Sequence, residues 1–253
     1  MLLRDLDAYF RSIFEIEPLA RIDSSMNGIQ VGDTTRDVST VAFAVDACRE
    51  VFLRASEAGA EVLFVHHGLF WGAPIPVTGY FFERMRCLIE NDLALYAVHL
   101  PLDKHPELGN NASMAETLGL EKIEPFGTYK GTAIGCKGSL PAPVLLDRII
   151  ETLFTHTDET LGVLRFGPSE ITSVGIVSGG AAFEVAEAIA DGLDLYITGD
   201  ASHTIYHQAM ESGINVVFGG HYMTETWGVR RTADRLARET GLKTVYVDLP
   251  TGF

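Results

Sequence analysis

The stretch TVAFAVDACREVFLRASEAGAEVLFVHHG, residues 40–68, decides the fold class of this chain. It begins with an apolar run of strand length at Thr40–Val45, continues through a helix-like stretch at Cys48–Ala58, and returns to a second apolar run at Glu61–Val65. A strand, a helix and a strand in this order predict parallel strands in one sheet, with the helix packed on its face. The stretch therefore predicts an α/β protein.

The same alternation continues along most of the 253 residues. Further strand-like runs, flanked by amphipathic stretches, lie at Leu93–Val98, Gly162–Phe166, Ser173–Val177, Leu193–Thr198, Ile214–Phe218 and Lys243–Val247. We therefore expect mostly parallel sheets flanked by helices. The chain between Gly127 and Leu140 is instead rich in glycine, and a helix-like stretch, Pro143–Leu153, follows it. This change predicts a second α/β lobe that begins near Pro125.

The charge balance limits the partners of the protein. Nineteen Lys and Arg residues stand against 34 Asp and Glu residues, which gives a formal net charge of −15. Such an excess disfavours sequence-independent binding to nucleic acid and docking on an anionic membrane surface. No apolar run approaches the roughly 18–20 residues that a membrane-spanning helix needs. The protein can still bind a small anionic ligand if its binding site carries a local positive charge.

The three cysteines, Cys48, Cys87 and Cys136, lie far apart and form no CxxC pattern. We interpret them as reduced core thiols of a cytoplasmic protein. Any metal site in the chain must therefore use histidine and carboxylate ligands.

Polar residues gather directly after the predicted strands, where open α/β sheets bind their ligands. His66 and His67 follow the run EVLFV. His99 follows LALYAV, and Asp103 comes four residues later. The later runs are followed by Gly199, Asp200, His203, Gly219, Gly220, His221 and Glu225. Five of the eight histidines thus follow a strand end within a few residues, a clustering that scattered core histidines would not produce.

Two of these groups have the spacing of metal ligands. Consecutive residues in extended backbone point to opposite sides, so His66 and His67 favour two adjacent ions over a single one. His221 and Glu225 lie four residues apart at the entry to a predicted helix and reach one common point, where the two oxygens of Glu225 can bridge two ions. Together with Asp103 they suit Zn²⁺, Mn²⁺, Fe²⁺ or Co²⁺. Five protein ligands around two ions leave positions for water, as in catalytic sites.

Each of these signals also has a purely structural explanation. The histidine pair is compatible with a packed or hydrogen-bonded strand end. The His221–Glu225 pair is compatible with a solvated contact on a helix surface, and Asp103 with a loop cap. The combination at successive strand ends favours a dinuclear metal site.

Five stretches together closely resemble the Nif-three-like family, whose members are often labelled GTP cyclohydrolase 1 type 2 homologs. They are MNGIQVG (26–32), VHHGLFWG (65–72), AVHLPLDKHPELGNN (97–111), ITGDAS (197–202) and GGHYMTE (219–225). They follow the order of the family's motifs, and the resemblance covers most of the chain. It implies a two-lobed subunit of the Nif-three-like fold, with a first lobe over residues 1–124 completed by 219–253 and a second lobe over 125–218.

The resemblance also implies a set of metal ligands and an assembly. Two divalent ions are implied, with His66 bound to one and His67 to the other. Asp103 and His221 match two further ligands, and Glu225 matches the bridging glutamate. Family members are typically cytoplasmic and assemble as toroidal homohexamers, and a small molecule of the nucleotide class is the implied substrate.

The family label implies a metal-dependent hydrolase that acts on a nucleotide or a related heterocycle. The named reaction opens the guanine imidazole ring of GTP at C8 with loss of formate, and a dinuclear centre can activate water for it. His99 is the first candidate for the group that protonates the departing nitrogen, and Asp200 is the second. The alternative for His99 is a hydrogen bond that orients Asp103. The alternative for the whole protein is a ring-forming, metal-binding regulatory or scaffold protein without catalysis.

Other features allow two interpretations. The run SGGAAF (178–183) either offers backbone N–H groups to an anion or makes a tight strand-to-helix turn. Three basic residues are either phosphate contacts or solvated side chains: Lys104, His105 and Arg230. Three aromatic residues either stack on a purine or pack within the protein: Phe70, Trp71 and Trp227.

Overall fold

The structure, a computed structural model, describes residues 1–154 and 160–253. The chain divides into two compact units. The first unit comprises residues 1–102 and 229–249, and the second unit comprises residues 103–228 and 250–253. Each unit has its own sheet and its own apolar core.

The boundaries of the two units differ from the boundaries of the two lobes expected from the sequence. Met114 and Ala115 pack into the core of the second unit, so the chain enters that unit well before Pro125. Residues 221–228, the first part of the last helix, also belong to the second unit and not to the first. The candidate ligands of the second half of the chain therefore lie in the second unit together with Asp103.

Strands and helices are numbered here in chain order over the described residues. The strands are β1 (Gly28–Val31), β2 (Thr40–Asp46), β3 (Val62–His67), β4 (Ala94–Ala97), β5 (Glu121–Tyr129), β6 (Thr132–Leu145), β7 (Gly162–Arg165), β8 (Glu170–Val177), β9 (Leu195–Thr198), β10 (Asn215–Phe218) and β11 (Lys243–Tyr246). The helices are α1 (Leu3–Ile13), α2 (Ile16–Leu19), α3 (Arg49–Glu57), α4 (Gly79–Glu90), α5 (Leu100–Asp103), α6 (Asn110–Thr117), α7 (Leu146–Leu153), α8 (Val185–Ala190), α9 (Tyr206–Ser212) and α10 (His221–Thr240). None of the described helices is long and apolar enough to cross a membrane.

The first unit is built on a five-stranded sheet in the order β1-β4-β3-β2-β11. Strands β11, β2, β3 and β4 are parallel, and β1 runs antiparallel to β4 at the edge. The parallel strands predicted from residues 40–68 are confirmed. The register pairs Asp46 with His67, the last residues of β2 and β3, so both lie at the carboxyl edge of the sheet.

Both faces of this sheet are buried, which explains why β2 and β3 are nearly continuous apolar runs in the sequence. Helices α3 and α4 cover one face, where Phe52, Leu63 and Leu88 belong to one apolar cluster. Helix α1 covers the other face, where the ring centroid of Phe10 lies 5.0 Å from that of Phe64 on β3. Packing on both faces fixes the strand ends that carry the histidines.

The second unit is built on a six-stranded sheet in the order β5-β6-β8-β9-β10-β7. The central strands β8, β9 and β10 are parallel, whereas β5, β6 and β7 pair antiparallel with their neighbours. This sheet is therefore mixed, and only its centre has the predicted parallel order. Because parallel strands end at one edge, the loops that begin at Ser178, Gly199 and Gly219 share the edge where ligands bind in such sheets.

The glycine-rich stretch between Gly127 and Leu140 forms much of an antiparallel hairpin. Strands β5 and β6 pair around a turn at Lys130 and Gly131, both of which have positive φ. The helix expected from Pro143 begins at Leu146 instead, because β6 extends to the residue before it. The hairpin adds two antiparallel strands to one side of the second sheet, which the alternation of strands and helices in the sequence did not predict.

Candidate metal-binding groups

Three histidines of the first unit converge at the carboxyl edge of its sheet. One ring nitrogen from each of His66, His67 and His99 lies within 4.8 Å of the other two. The ring centroids of His66 and His67 are 4.7 Å apart, and those of His66 and His99 are 5.0 Å apart. The two consecutive histidines at the end of β3 thus place their rings side by side. We refer to these three residues as the histidine cluster.

Each ring of the histidine cluster has its Nδ1 atom against an oxygen. The partners are the Val98 carbonyl at 3.0 Å for His66, Asp46 Oδ1 at 2.8 Å for His67, and Asp23 Oδ1 at 2.8 Å for His99. Because a carbonyl or carboxylate oxygen only accepts, the tautomer assigned from these contacts carries its proton on Nδ1. Nε2 is then the ring nitrogen with the lone pair. Metal-binding histidines have the same arrangement, with the second nitrogen held by a carboxylate or carbonyl.

Asp23, the partner of His99, had no recognisable signal in the sequence. Its side chain is 0% exposed, and it also accepts hydrogen bonds from the main-chain N–H groups of Ser25 at 2.9 Å and Leu100 at 3.0 Å. Asn27 Nδ2 donates a further bond at 2.8 Å. Burial acts to raise the pKa of Asp23, but the hydrogen bonds from His99, Asn27 and Ser25 outweigh it and hold the pKa below its usual value. Asp23 is therefore a buried carboxylate anion.

Two roles are expected for His99, namely proton transfer or a hydrogen bond that orients Asp103. The Nδ1–H group of His99 donates to Asp23, and Asn110 and Ser178 donate to the carboxylate of Asp103. Both roles of His99 stay predictions.

One of the three aromatic candidates lies on the histidine cluster. The ring of Trp71 meets that of His99 edge-on at a centroid distance of 5.0 Å, and its Nε1–H donates to the Gly68 carbonyl at 3.0 Å. Phe70 packs against the core of the first unit and Trp227 against the core of the second. Trp71 alone of the three is positioned to face a ligand bound at the histidine cluster.

In the second unit, His221 and Glu225 occupy the first turn of α10. His221 Nε2 lies 3.3 Å from Glu225 Oε1, and His221 Nδ1 lies 2.9 Å from Asp200 Oδ1. Burial acts to lower the pKa of His221, but the two carboxylates outweigh it and raise the pKa to about 9. A metal ion takes only the neutral imidazole, so binding at Nε2 must displace this proton. Asp200, which the sequence analysis names as a candidate for proton transfer, is hydrogen-bonded to His221.

Asp103 is buried in the second unit, and its orientation is fixed by neighbouring polar groups. Its Oδ1 accepts hydrogen bonds from Asn110 Nδ2 at 2.9 Å and from Ser178 Oγ at 3.0 Å. Asn111 donates to its main-chain carbonyl at 3.2 Å and accepts from the Ser178 N–H at 2.7 Å. Carboxylates that bind metals are commonly held in this way by an outer set of hydrogen bonds. Asn110 and Asn111 lie in one of the family-like motifs, but the sequence did not indicate their role.

The glycine-rich run 178–183 makes a tight turn against the side chain of Glu225. Gly179 has φ +65, and a Cβ atom there would collide with Glu225 Oε1 and lie 3.2 Å from His221 Nε2. The Gly179 N–H donates to Thr224 Oγ1 at 3.1 Å, and its carbonyl accepts from Asp200 N at 3.0 Å. The turn interpretation is therefore supported, since the run provides room for Glu225 and His221.

The basic candidates lie in different surroundings. Lys104 and His105 line a cavity of about 260 Å³ in the second unit. Arg230 lies over the ring of Tyr246, 3.7 Å from its centroid, and is 3.8 Å from Asp248. Arg230 is thus bound within the first unit rather than presented to a phosphate.

The described residues therefore form an α/β protein that carries histidine and carboxylate groups able to bind divalent metals. The chain belongs to the Duf34/NIF3 (NGG1p interacting factor 3) family, whose model matches residues 1–251. The family resemblance drawn from the five motifs is confirmed.

Two curated relatives match most or all of the chain. A protein of Treponema pallidum is 42% identical, with 100% of both chains covered, and one of Deinococcus radiodurans is 43% identical over 91% of this chain and 87% of the relative. Both bear the name GTP cyclohydrolase 1 type 2 homolog.

Solved structures confirm the fold. The protein TTHA1606 from Thermus thermophilus superposes with a TM-score of 0.91 at 35% identity, covering 100% of both chains. Reduced HcgD from Methanocaldococcus jannaschii superposes with a TM-score of 0.85 at 25% identity, covering 98% of both chains.

Proposed function

We propose that the protein is a dinuclear, divalent-metal-dependent hydrolase that acts on a nucleotide or a related heterocycle. The proposed ligands are those that the family resemblance implies, namely His66, His67, Asp103, His221 and Glu225. The observation that carries the proposal is that each of the three proposed ligand histidines has its Nδ1 against an oxygen, the arrangement in which metal-binding histidines coordinate through Nε2. This imidazole and carboxylate set fits Zn²⁺, Mn²⁺, Fe²⁺ or Co²⁺ better than Mg²⁺ or Ca²⁺, which prefer oxygen alone.

Residues of the chain take distinct roles in this proposal. The two ions, when bound, supply Lewis acidity and lower the pKa of water. Glu225, whose side chain is 4% exposed, would help to hold them through its carboxylate. Asp200 orients His221, and His99 transfers the proton that the departing nitrogen needs. The ring of Trp71 shields one side of His99 from water.

The substrate class is proposed from charge and from the relatives. Two divalent ions bring +4, and Asp103 with Glu225 offsets −2, so the proposed centre carries +2 on a chain of net charge −15. A small anionic nucleotide is drawn to such a local positive charge, whereas long nucleic acids are repelled by the rest of the surface. The relatives' name supports GTP as the first substrate to test, with ring opening at C8 and release of formate.

The assembly and the location are also proposed from the family resemblance. Six copies are expected to form a toroid in the cytoplasm. Light scattering coupled to size exclusion should report the mass of six chains, and a monomeric mass would contradict the ring.

Metal-loaded protein is expected to release formate from GTP or to hydrolyse a related nucleotide or heterocycle. Removing the metal with a chelator should lower turnover about 100-fold or more, because such ions contribute several kcal/mol of transition-state stabilisation. Re-addition of Zn²⁺, Mn²⁺, Fe²⁺ or Co²⁺ should restore it. The measurement is a formate assay beside a substrate screen before and after chelation.

The results of this screen separate the proposals. If metal is bound but GTP yields no formate, the cyclohydrolase assignment fails and a hydrolase of another substrate remains. If no member of a nucleotide and heterocycle panel is turned over by the metal-loaded protein, the proposed hydrolase fails. A ring-forming metal-binding regulatory or scaffold protein is then the better description.

A further inference from the structure

Asp23 is a buried carboxylate outside the proposed ligand set, and its two oxygens are saturated by donors. Oδ1 accepts from Ser25 N at 2.9 Å and from His99 Nδ1 at 2.8 Å. Oδ2 accepts from Asn27 Nδ2 at 2.8 Å and from Leu100 N at 3.0 Å. Main-chain N–H and amide NH₂ groups can only donate, so the carboxylate is arranged to accept at every contact. The proton between Asp23 and His99 must therefore reside on His99 Nδ1.

The loop that contains Asp23 holds the main chain and the side chain of His99 together. Asn27 donates to Asp23 through Nδ2 and accepts the main-chain N–H of His99 through Oδ1 at 2.7 Å. Trp71 meets the ring of His99 edge-on, with 80° between the ring planes. The imidazole is thus held by a hydrogen bond at Nδ1, by its own backbone and by an aromatic neighbour. Such contacts fix both its tautomer and its direction.

The burial of Asp23 distinguishes this pair from the other carboxylate–histidine pair of the cluster. The side chain of Asp23 is 0% exposed, whereas that of Asp46, the partner of His67, is 34% exposed. Water therefore has less access to the Asp23 carboxylate than to the Asp46 carboxylate. His66 has only a neutral carbonyl at its Nδ1. Of the three rings, His99 is therefore the one whose Nδ1 is held by a fully buried carboxylate.

We propose that Asp23 is a positioning residue that keeps His99 in the Nδ1–H tautomer, so that His99 Nε2 transfers protons in the proposed hydrolysis. Nε2 accepts a proton from the attacking water, and the imidazolium so formed stays hydrogen-bonded to the Asp23 carboxylate. The same proton then passes from Nε2 to the departing nitrogen, which restores neutral His99. The transfer step rests on the proposed function, whereas the tautomer follows from the contacts of Asp23 alone.

The tautomer is measured directly by ¹⁵N NMR of histidine-labelled, zinc-loaded protein. His99 of the wild-type chain is expected to show a protonated Nδ1 and an unprotonated Nε2. In Asp23→Asn an NH₂ group replaces one of the two accepting oxygens; where it faces the ring it donates to Nδ1, so a fraction of His99 should carry its proton on Nε2. This signature does not depend on finding a substrate. A wild-type His99 protonated at Nε2 would overturn the proposal even if Asp23→Asn did not fold.

Kinetics test the consequence for proton transfer. With a substrate from the screen, Asp23→Asn should lower kcat about 100-fold or more with little change in KM, since positioned general acid–base groups contribute roughly 10²–10⁴-fold. The metal content should stay at the wild-type value. Asp33→Asn is the matched control, because the exposed Asp33 also accepts the N–H of the residue two positions on, Thr35, at 2.9 Å.

The outcomes are distinct. A folded, metal-loaded Asp23→Asn with wild-type kcat would overturn the role of Asp23 in proton transfer. Loss of kcat together with loss of metal would also overturn it, since Asp23 would then support metal binding instead. If no substrate is found, the proposed hydrolase fails, and the NMR measurement still decides whether Asp23 fixes the tautomer of His99.

Discussion

Replacing Gly179 with alanine is expected to displace Glu225 and to reduce the bound metal to one ion per chain or fewer. A Cβ at this position would overlap Glu225 Oε1 and lie 3.2 Å from His221 Nε2. The backbone cannot easily retreat, because the Gly179 N–H is bonded to Thr224 and its carbonyl accepts from Asp200 N. The carboxylate must therefore move, and with it the proposed bridge between the ions.

Gly192→Ala is the matched control for this substitution. Gly192 lies in the same unit with φ +67, close to the φ +65 of Gly179, but a Cβ there has no heavy atom within 4 Å. In both variants the alanine must adopt a left-handed backbone conformation, which destabilises the folded protein by about 1–2 kcal/mol. Only Gly179→Ala should also lose metal, as measured by plasma mass spectrometry beside thermal unfolding. Equal metal content in the two variants would show that the turn does not support the ligands.

Glu225→Gln is expected to abolish turnover while leaving the shape of the second unit intact. The side chain is 4% exposed and its Oε1 lies 3.3 Å from His221 Nε2, so a group of the same size is needed there. Glutamine supplies one carbonyl oxygen, and its NH₂ group has no lone pair for a cation. The substitution therefore removes one of the two oxygens proposed to bind metal, and it leaves no cavity because glutamine has nearly the same size. Loss of an outer partner of a ligand typically lowers metal affinity or activity 10–100-fold, and loss of the bridging ligand should exceed that.

The control for this charge change is Glu211→Gln, at an exposed position at the end of α9 in the same unit. Metal content, thermal stability and turnover of the two variants are compared under the same conditions. Glu211→Gln should match the wild type in all three. A Glu225→Gln protein that keeps two ions and full turnover would remove Glu225 from the centre. If the wild-type protein binds metal but turns over no substrate, the alternative of a scaffold protein would be favoured.

The parallel strands of the first unit were predictable because their signal is local. Runs such as TVAFAV and EVLFV are apolar along their whole length, as expected for parallel strands covered on both faces. The β5–β6 hairpin was not predicted, because its glycines serve contacts between strands that are distant in sequence. A Cβ on Gly135, for example, would collide with the carbonyl oxygen of Ile176 on the neighbouring strand β8. A glycine required for close approach resembles a loop glycine when only the sequence is read.

The candidate ligands were also predictable, since strand ends and motif spacing single them out. Their supporting residues were not, because hydrogen bonds join positions far apart in the chain. Asp23 and His99 are separated by 76 residues, and Asp103 and Ser178 by 75. Asp46 directly follows the run TVAFAV, but only the register of β2 against β3 places it beside His67. The sequence thus singles out the candidate ligands, whereas the fold shows which residues are hydrogen-bonded to them.

The most direct test of the dinuclear proposal is the metal content of the wild-type protein purified under metal-replete conditions. Plasma mass spectrometry, with the protein concentration from amino-acid analysis, should report two divalent ions per chain. Equilibrium dialysis against Zn²⁺ should saturate at the same value. Fewer than one ion per chain by both methods would contradict the proposed centre.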